Sequence, residues 1–140
     1  MKMSMPKGKY YIGDLCYVMD DAEWFEFCGI TIKGTQVLDG EFQLKDGRRF
    51  ASYSTAFGDG EYYDQYGHTY SVDAGLIGCI LVDDIRAEKY ENLLGLGSIM
   101  EFDNSFATSG GRGDEGWKGL IQIGHVMIET NPEYGEDRDF

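Results

Sequence analysis

The stretch Gly75-Leu76-Ile77-Gly78-Cys79-Ile80-Leu81-Val82-Asp83-Asp84 is an apolar run closed at both ends by turn-forming residues. Such a run is far short of the roughly 20 residues a membrane helix needs. It reads instead as a short strand covered on both faces, because neither face alternates to polar. A strand of that kind is central, so the chain on either side of it must supply the layers that cover it.

Downstream, Asp84 and Gly95 bracket a predicted helix over 85–94, with Ile85, Tyr90, Leu93 and Leu94 able to share one face. Strands are predicted over 98–102, 117–123 and 125–130, with a glycine-rich loop over 109–116 and an acidic, frayed tail over 131–140. Upstream, 69–72 reads as a strand that returns from a polar, tyrosine-rich stretch over 57–67. Residues 41–45 alternate, Asp46-Gly47 signals a hairpin, 48–53 is the return strand, and Asp39-Gly40 offers another turn. Asp20 with Glu23 three residues on forms a capping box ahead of Trp24, Phe25, Phe27 and Cys28, and Gly29 supplies a stop. A first strand is expected over 9–13, continuing through 15–19. The fold class is therefore α+β, mainly β: one domain over 1–140, a strongly bent antiparallel sheet or small barrel with two short helices.

The 140 residues suit one domain, and with 42% apolar and 14% aromatic residues the chain can fill a core rather than stay disordered. Twenty glycines against two prolines fit many short strands joined by tight turns. The formal charge of −13 argues against direct nucleic-acid binding, which needs Lys and Arg to displace counterions. It argues equally against an anionic membrane surface and favours a cation or a basic partner protein. Three cysteines, Cys16, Cys28 and Cys79, with no C-x-x-C spacing, give neither a disulfide framework nor a cysteine zinc site. No signal-peptide core opens the chain, and a soluble protein of a reducing cytoplasm is the expectation.

The chemically informative feature is a set of aspartates beside glycines: Gly13-Asp14, Gly58-Asp59-Gly60 and Val72-Asp73-Ala74-Gly75. An acid placed among apolar strands needs a hydrogen-bond partner, a cation or water. Two outcomes are open: each aspartate caps a turn, or Asp14, Asp59 and Asp73 meet with Tyr62, Tyr63 and His68 to line a small-ligand pocket. Asp59, Glu61 and Asp64 also carry oxygen ligands at close spacing, and Ca²⁺ or Mg²⁺ is the ion such a set would hold. The register lacks the regular calcium-loop order, and no cofactor is predicted. No nucleophile motif accompanies His68 or His125, and Cys16 and Cys79 sit in apolar contexts as core residues. Arg112-Gly113-Asp114 reads as a chance tripeptide.

Tyr11-Ile12-Gly13-Asp14-Leu15-Cys16-Tyr17, Trp24, Gly58-Asp59-Gly60-Glu61-Tyr62 and Val72-Asp73-Ala74-Gly75-Leu76-Ile77-Gly78 together resemble small hypothetical proteins of phages and bacteria. That resemblance spans roughly 9–82, departs at Leu15 where those proteins often have Pro, and implies no activity and no site residue. It implies a phage or mobile-element origin. The expected function is a small acidic, non-catalytic binding protein that inhibits a basic host protein. Its contact residues are the acids of 59–64 and 133–139. The alternatives are a small-ligand or divalent-cation protein, as a nucleotide sequestrant or metal-dependent hydrolase, and a phage structural accessory protein. Oligomeric state is not legible at this level.

Overall fold

The computed structural model describes residues 4–110 and 119–131. Two five-stranded antiparallel sheets make up most of it. The first has the order β4-β5-β8-β1-β9, built from β1 (Gly8–Gly13), β4 (Gly40–Gln43), β5 (Arg49–Ser54), β8 (Leu76–Leu81) and β9 (Ser98–Phe102). The second has the order β10-β11-β12-β6-β7, built from β6 (Gly60–Asp64), β7 (Thr69–Val72), β10 (Thr108–Ser109), β11 (Leu120–Ile123) and β12 (Val126–Glu129). A separate hairpin joins β2 (Ile32–Lys33) to β3 (Gln36–Val37). Helix α1 (Asp21–Thr31) precedes that hairpin, and the one-turn α2 (Leu93–Leu96) precedes β9. The mainly β, α+β class stands, as two open sheets rather than a closed barrel.

The layering follows from the period of two along each strand. From β1, Tyr10 and Ile12 point between the sheets, as do Ala51 and Tyr53 of β5 and Ile77 and Cys79 of β8. They meet Tyr62, Tyr70, Val72, Ile121, Ile123, Val126 and Ile128 of the second sheet. The alternate residues Tyr11, Phe50, Leu76 and Ile80 point the other way, onto Phe27 of α1 with Leu15, Val18, Met19, Ile85 and Leu93. The first sheet is thus a middle layer, which is why the run of β8 is apolar on both faces. Among the described residues, no helix is long and apolar enough to cross a membrane.

The capping box forms as read: Glu23 N–H donates to Asp20 Oδ1 at 2.8 Å, and Asp20 N–H donates to Glu23 Oε1 at 2.9 Å. Glu23 is buried and also pairs with Arg48 from the turn between β4 and β5, while Arg86 pairs with Asp20 at 2.8 Å. These contacts fix the start of α1 against two other segments.

Four expectations change. Helix α1 runs past Gly29 to Thr31, because Ile32 N–H reaches Cys28 O, and Lys33 Nζ reaches Gly29 O at 2.9 Å. The carbonyls at its end are satisfied without a left-handed glycine. Residues 15–19 are not strand: Leu15–Tyr17 is a 3₁₀ turn capped by Asp14. The helix read over 85–94 is instead a 3₁₀ segment, Ala87–Asn92, followed by α2, with no side-chain cap from Asp84. Ile85 and Arg86 are extended, and the Arg86 guanidinium is turned toward Asp20 rather than along a helix. Finally, the polar stretch 57–67 contains β6, which turns Tyr62 and Asp64 inward and Glu61 and Tyr63 outward, one tyrosine and one acid on each face. The loop over 111–116, with its Arg-Gly-Asp tripeptide, and the tail over 132–140 lie outside the described residues.

Candidate functional site

The three glycine–aspartate motifs meet, but by an unequal division of labour. Asp14 is fully buried between β1 and the 3₁₀ turn. Its Oδ1 accepts from Cys16 N–H at 3.0 Å, and its Oδ2 accepts from Asp73 N–H at 2.8 Å and Ala74 N–H at 2.6 Å. A carboxyl group with no exposed surface and three N–H donors is already satisfied. Asp14 therefore ties the β7–β8 connection to the end of β1, and its oxygens do not face a ligand. The Cys16 thiol beside it is pushed up by burial and then by the Asp14 charge.

The second tie runs through Thr55. Its N–H donates to Gly75 O at 3.0 Å, and its hydroxyl donates to Gly58 O at 2.6 Å. Gly75 has φ +80°, and a Cβ there would stand 3.6 Å from Gly58 Cα, so the two loops are in backbone contact. Tyr62, an inward core residue, adds its hydroxyl to Gly58 O at 3.0 Å. Thr130 holds the far side: its Oγ1 accepts from Ala56 N–H at 2.9 Å, and its N–H donates to Gly119 O at 2.8 Å.

On this pinned platform the side chains of Phe57, Asp59, Glu61 and Asp73 are exposed, Phe57 by 56%. Among the described residues, none of the three acids makes an ion pair, and no Lys or Arg lies in the segments that build the platform. The platform is thus an acidic face with one aromatic ring on loops held from beneath. Phe57, which composition and motif reading passes over, is signalled only by an aromatic opening a glycine–acid stretch.

The other proposed site residues lie elsewhere. Tyr63 is on the outward face of β6, its hydroxyl 3.3 Å from Glu61 Oε1. Asp64 points inward, opposite in face to Glu61, so Asp59, Glu61 and Asp64 do not gather around one ion. Among the described residues, no group of three or more His, Cys, Asp or Glu side chains could hold a metal.

Asp64 is instead the hub of the β6–β7 turn. Its Oδ1 accepts from Tyr66 N–H at 2.8 Å and His68 N–H at 3.0 Å. Its Oδ2 accepts from His68 Nδ1 at 2.9 Å and the Tyr70 hydroxyl at 2.7 Å, and Tyr70 meets Ser98 Oγ at 2.7 Å. Burial works to raise the Asp64 carboxyl, but those donors outweigh it and hold the group below the usual carboxylate range. His68 thus sits at the far end of β6 from the platform, oriented by a structural acid.

The sign of the pH effect follows. A depressed carboxyl stabilises the fold fully above its unfolded value of about 4, and that stability is lost as pH falls through the lower folded value. Denaturant titrations of the wild type should show stability declining as pH drops below about 4. Asp64→Asn should be less stable at pH 7 and show a shallower decline. An unchanged acid slope in the variant would mean that Asp64 is not the group responsible. No family model, curated protein or solved structure matches the chain.

Proposed function

We propose that this is a small non-catalytic binding protein that docks its acidic loop face, Phe57 with Asp59, Glu61 and Asp73, onto a basic surface of another protein. The observation that carries this reading is the contrast within the three motifs. Asp14 is buried and fully bonded, whereas Asp59 and Asp73 project from loops that Asp14 and Thr55 hold in place. Binding residues are characteristically carried on loops positioned by a rigid scaffold, and a pinned loop loses little entropy on docking. Uncompensated acids steer a basic partner into place, and an exposed aromatic among them is a natural anchor. An array of carboxylates can also occupy a groove that otherwise takes phosphates. The partner class is then a nucleic-acid-binding or defence protein of the host, in keeping with the resemblance to phage proteins.

The test is co-isolation from host-cell extract with the tagged chain. The wild type should retain a basic protein in stoichiometric amount, released by salt. Asp59→Lys, Glu61→Lys and Asp73→Lys together should weaken retention on the order of 100-fold, since like charges placed face to face cost several kcal/mol. Reversal of the exposed Glu88 and Glu91, outside the platform, should leave it unchanged. Retention that survives the triple reversal would contradict the proposal.

A further inference from the structure

The chain contains three Asp-Gly pairs, Asp39-Gly40, Asp46-Gly47 and Asp59-Gly60. Such a pair carries a chemistry of its own. The glycine nitrogen can attack the aspartate Cγ and expel water, closing a succinimide ring, because glycine has no Cβ to crowd the approach and its backbone turns freely. In a folded chain the step needs a carboxyl free to rotate onto the nitrogen, and a nitrogen that can leave its other bonds.

The fold denies both conditions to the first two pairs. Asp39 Oδ1 accepts from Ser54 N–H at 3.0 Å and from the Ser54 hydroxyl at 2.9 Å, and Gly40 lies in β4 opposite Ser52. Asp46 Oδ1 accepts from Arg48 N–H at 3.1 Å and its Oδ2 from Arg48 Nε at 2.9 Å, while Gly47 N–H donates to Leu44 O at 3.0 Å. The hydrogen bond from the Arg48 side chain also holds the Asp46 carboxyl below the usual carboxylate range, in the ionised form that is the poorer electrophile. Asp73, on the same acidic face as Asp59, is exposed, but its successor is Ala74, whose N–H donates to Asp14 Oδ2 at 2.6 Å.

Asp59 differs on each count. Its side chain is exposed and, among the described residues, accepts no hydrogen bond and makes no ion pair. A Cβ at Gly58 would meet nothing within 4 Å, and one at Gly60 would meet nothing nearer than the Tyr62 hydroxyl at 3.7 Å, so a ring formed here has room. The fold grips the loop as far as Gly58, whose carbonyl takes the Thr55 and Tyr62 hydroxyls. Beyond that grip, Gly60 opens β6, and its pair with Val72 is the last of the β6–β7 ladder, the end from which a ladder frays.

We infer that Asp59-Gly60 is a self-modifying site, at which Asp59 converts to isoaspartate by reaction of the chain with itself and water. The Gly60 nitrogen bonds to Asp59 Cγ, and its proton leaves with the carboxyl hydroxyl as water. Water then opens the ring at one of its two carbonyls. Opening at Cγ restores aspartate. Opening at the Asp59 main-chain carbonyl leaves the main chain running through Cβ and Cγ, with a free carboxylate on Cα. One water leaves and one returns, so the step needs no oxidant and no cofactor. The product carries one more methylene in its main chain and a displaced carboxylate. On the docking reading above, on which this consequence alone rests, modified copies bind the basic partner less well.

Peptide mapping of the full chain after incubation at neutral pH, folded and in urea, tests this, with fragmentation that separates aspartate from isoaspartate. In the folded chain isoaspartate should accumulate at position 59 on the order of tenfold or more faster than at 39 or 46, the factor that a hydrogen bond to a charged group supplies. In urea the three positions should converge. Asp59→Glu, whose longer side chain would have to close a larger ring, should show no isomer at that position. Equal rates at the three positions in the folded chain would overturn the inference. So would modification of position 59 in urea alone, since the ladder would then be protecting the Gly60 nitrogen. The mapping uses the chain by itself, so its result stands whatever the partner. Equal isoaspartate content in the retained and unretained fractions of the co-isolation would overturn the effect on docking and leave the modification in place.

Discussion

Asp14→Ala should lower unfolding stability by about 3–5 kcal/mol, from three buried backbone N–H groups left without an acceptor at about 1–3 kcal/mol each, reduced where water enters. The three donors, from Cys16, Asp73 and Ala74, belong to two segments about 60 residues apart in sequence, so the carboxylate is a long-range tie rather than a local cap. Asp14→Asn should fall between the two. Its single amide oxygen can keep the Asp73 and Ala74 donors, but its NH₂ then faces Cys16 N–H. Urea titration at pH 7 gives both values. A loss below about 1 kcal/mol for Asp14→Ala, the size of an ordinary surface change, would show that the N–H groups find other partners and that Asp14 is free to serve a ligand.

Gly78→Ala should be more damaging still. Gly78 stands in β8, opposite Ser52 of β5 and Gly13 of β1. A Cβ there would lie 1.9 Å from the Ala51 carbonyl oxygen and 2.9 Å from its carbon. No side chain can rotate away to relieve this, because the obstacle is the backbone of the neighbouring strand. The methyl group can be accommodated only by moving β5 away from β8, in the middle layer that both cores pack against. The cost should exceed about 4 kcal/mol, the range reserved for such steric and backbone failures, against a total of roughly 5–15 kcal/mol for a domain. Expression in the insoluble fraction, or loss of the cooperative thermal transition, is the expected result. A variant that melts within a few degrees of wild type would mean the two strands are further apart than the register implies.

What was legible in the sequence is tied to local chemistry. The capping box at Asp20 and Glu23 needs only two side chains three residues apart, and it forms as read. The central strand at β8 was legible because a strand covered on both faces has no polar alternation to confuse it. The segment after it was not: Ile85 and Arg86 are extended, with Ile85 buried in the core against α1 and Arg86 paired with Asp20, tertiary contacts that local propensity does not carry. Strand β6 was hidden for another reason: its inward residues, Tyr62 and Asp64, are as polar by composition as its outward ones, Glu61 and Tyr63. The same limit governs the site. Sequence showed aspartates beside glycines, and the fold brings those loops together. Which carboxylate turns inward depends on where free N–H groups point. Asp14 meets those of Cys16, Asp73 and Ala74, whereas the Asp59 and Asp73 side chains are exposed and, among the described residues, accept no such bond. The division between a holding aspartate and presented ones is therefore a tertiary fact.

The most direct test of the acidic face is amide hydrogen exchange on the chain alone and in complex with the basic protein it retains. Added protection should concentrate in 55–61 and 73–75, the loops that carry Phe57, Asp59, Glu61 and Asp73, with α1 unaffected beyond any protection it already has. Protection confined to other segments, with those loops exchanging as in the free chain, would place the binding surface elsewhere and contradict the proposed function.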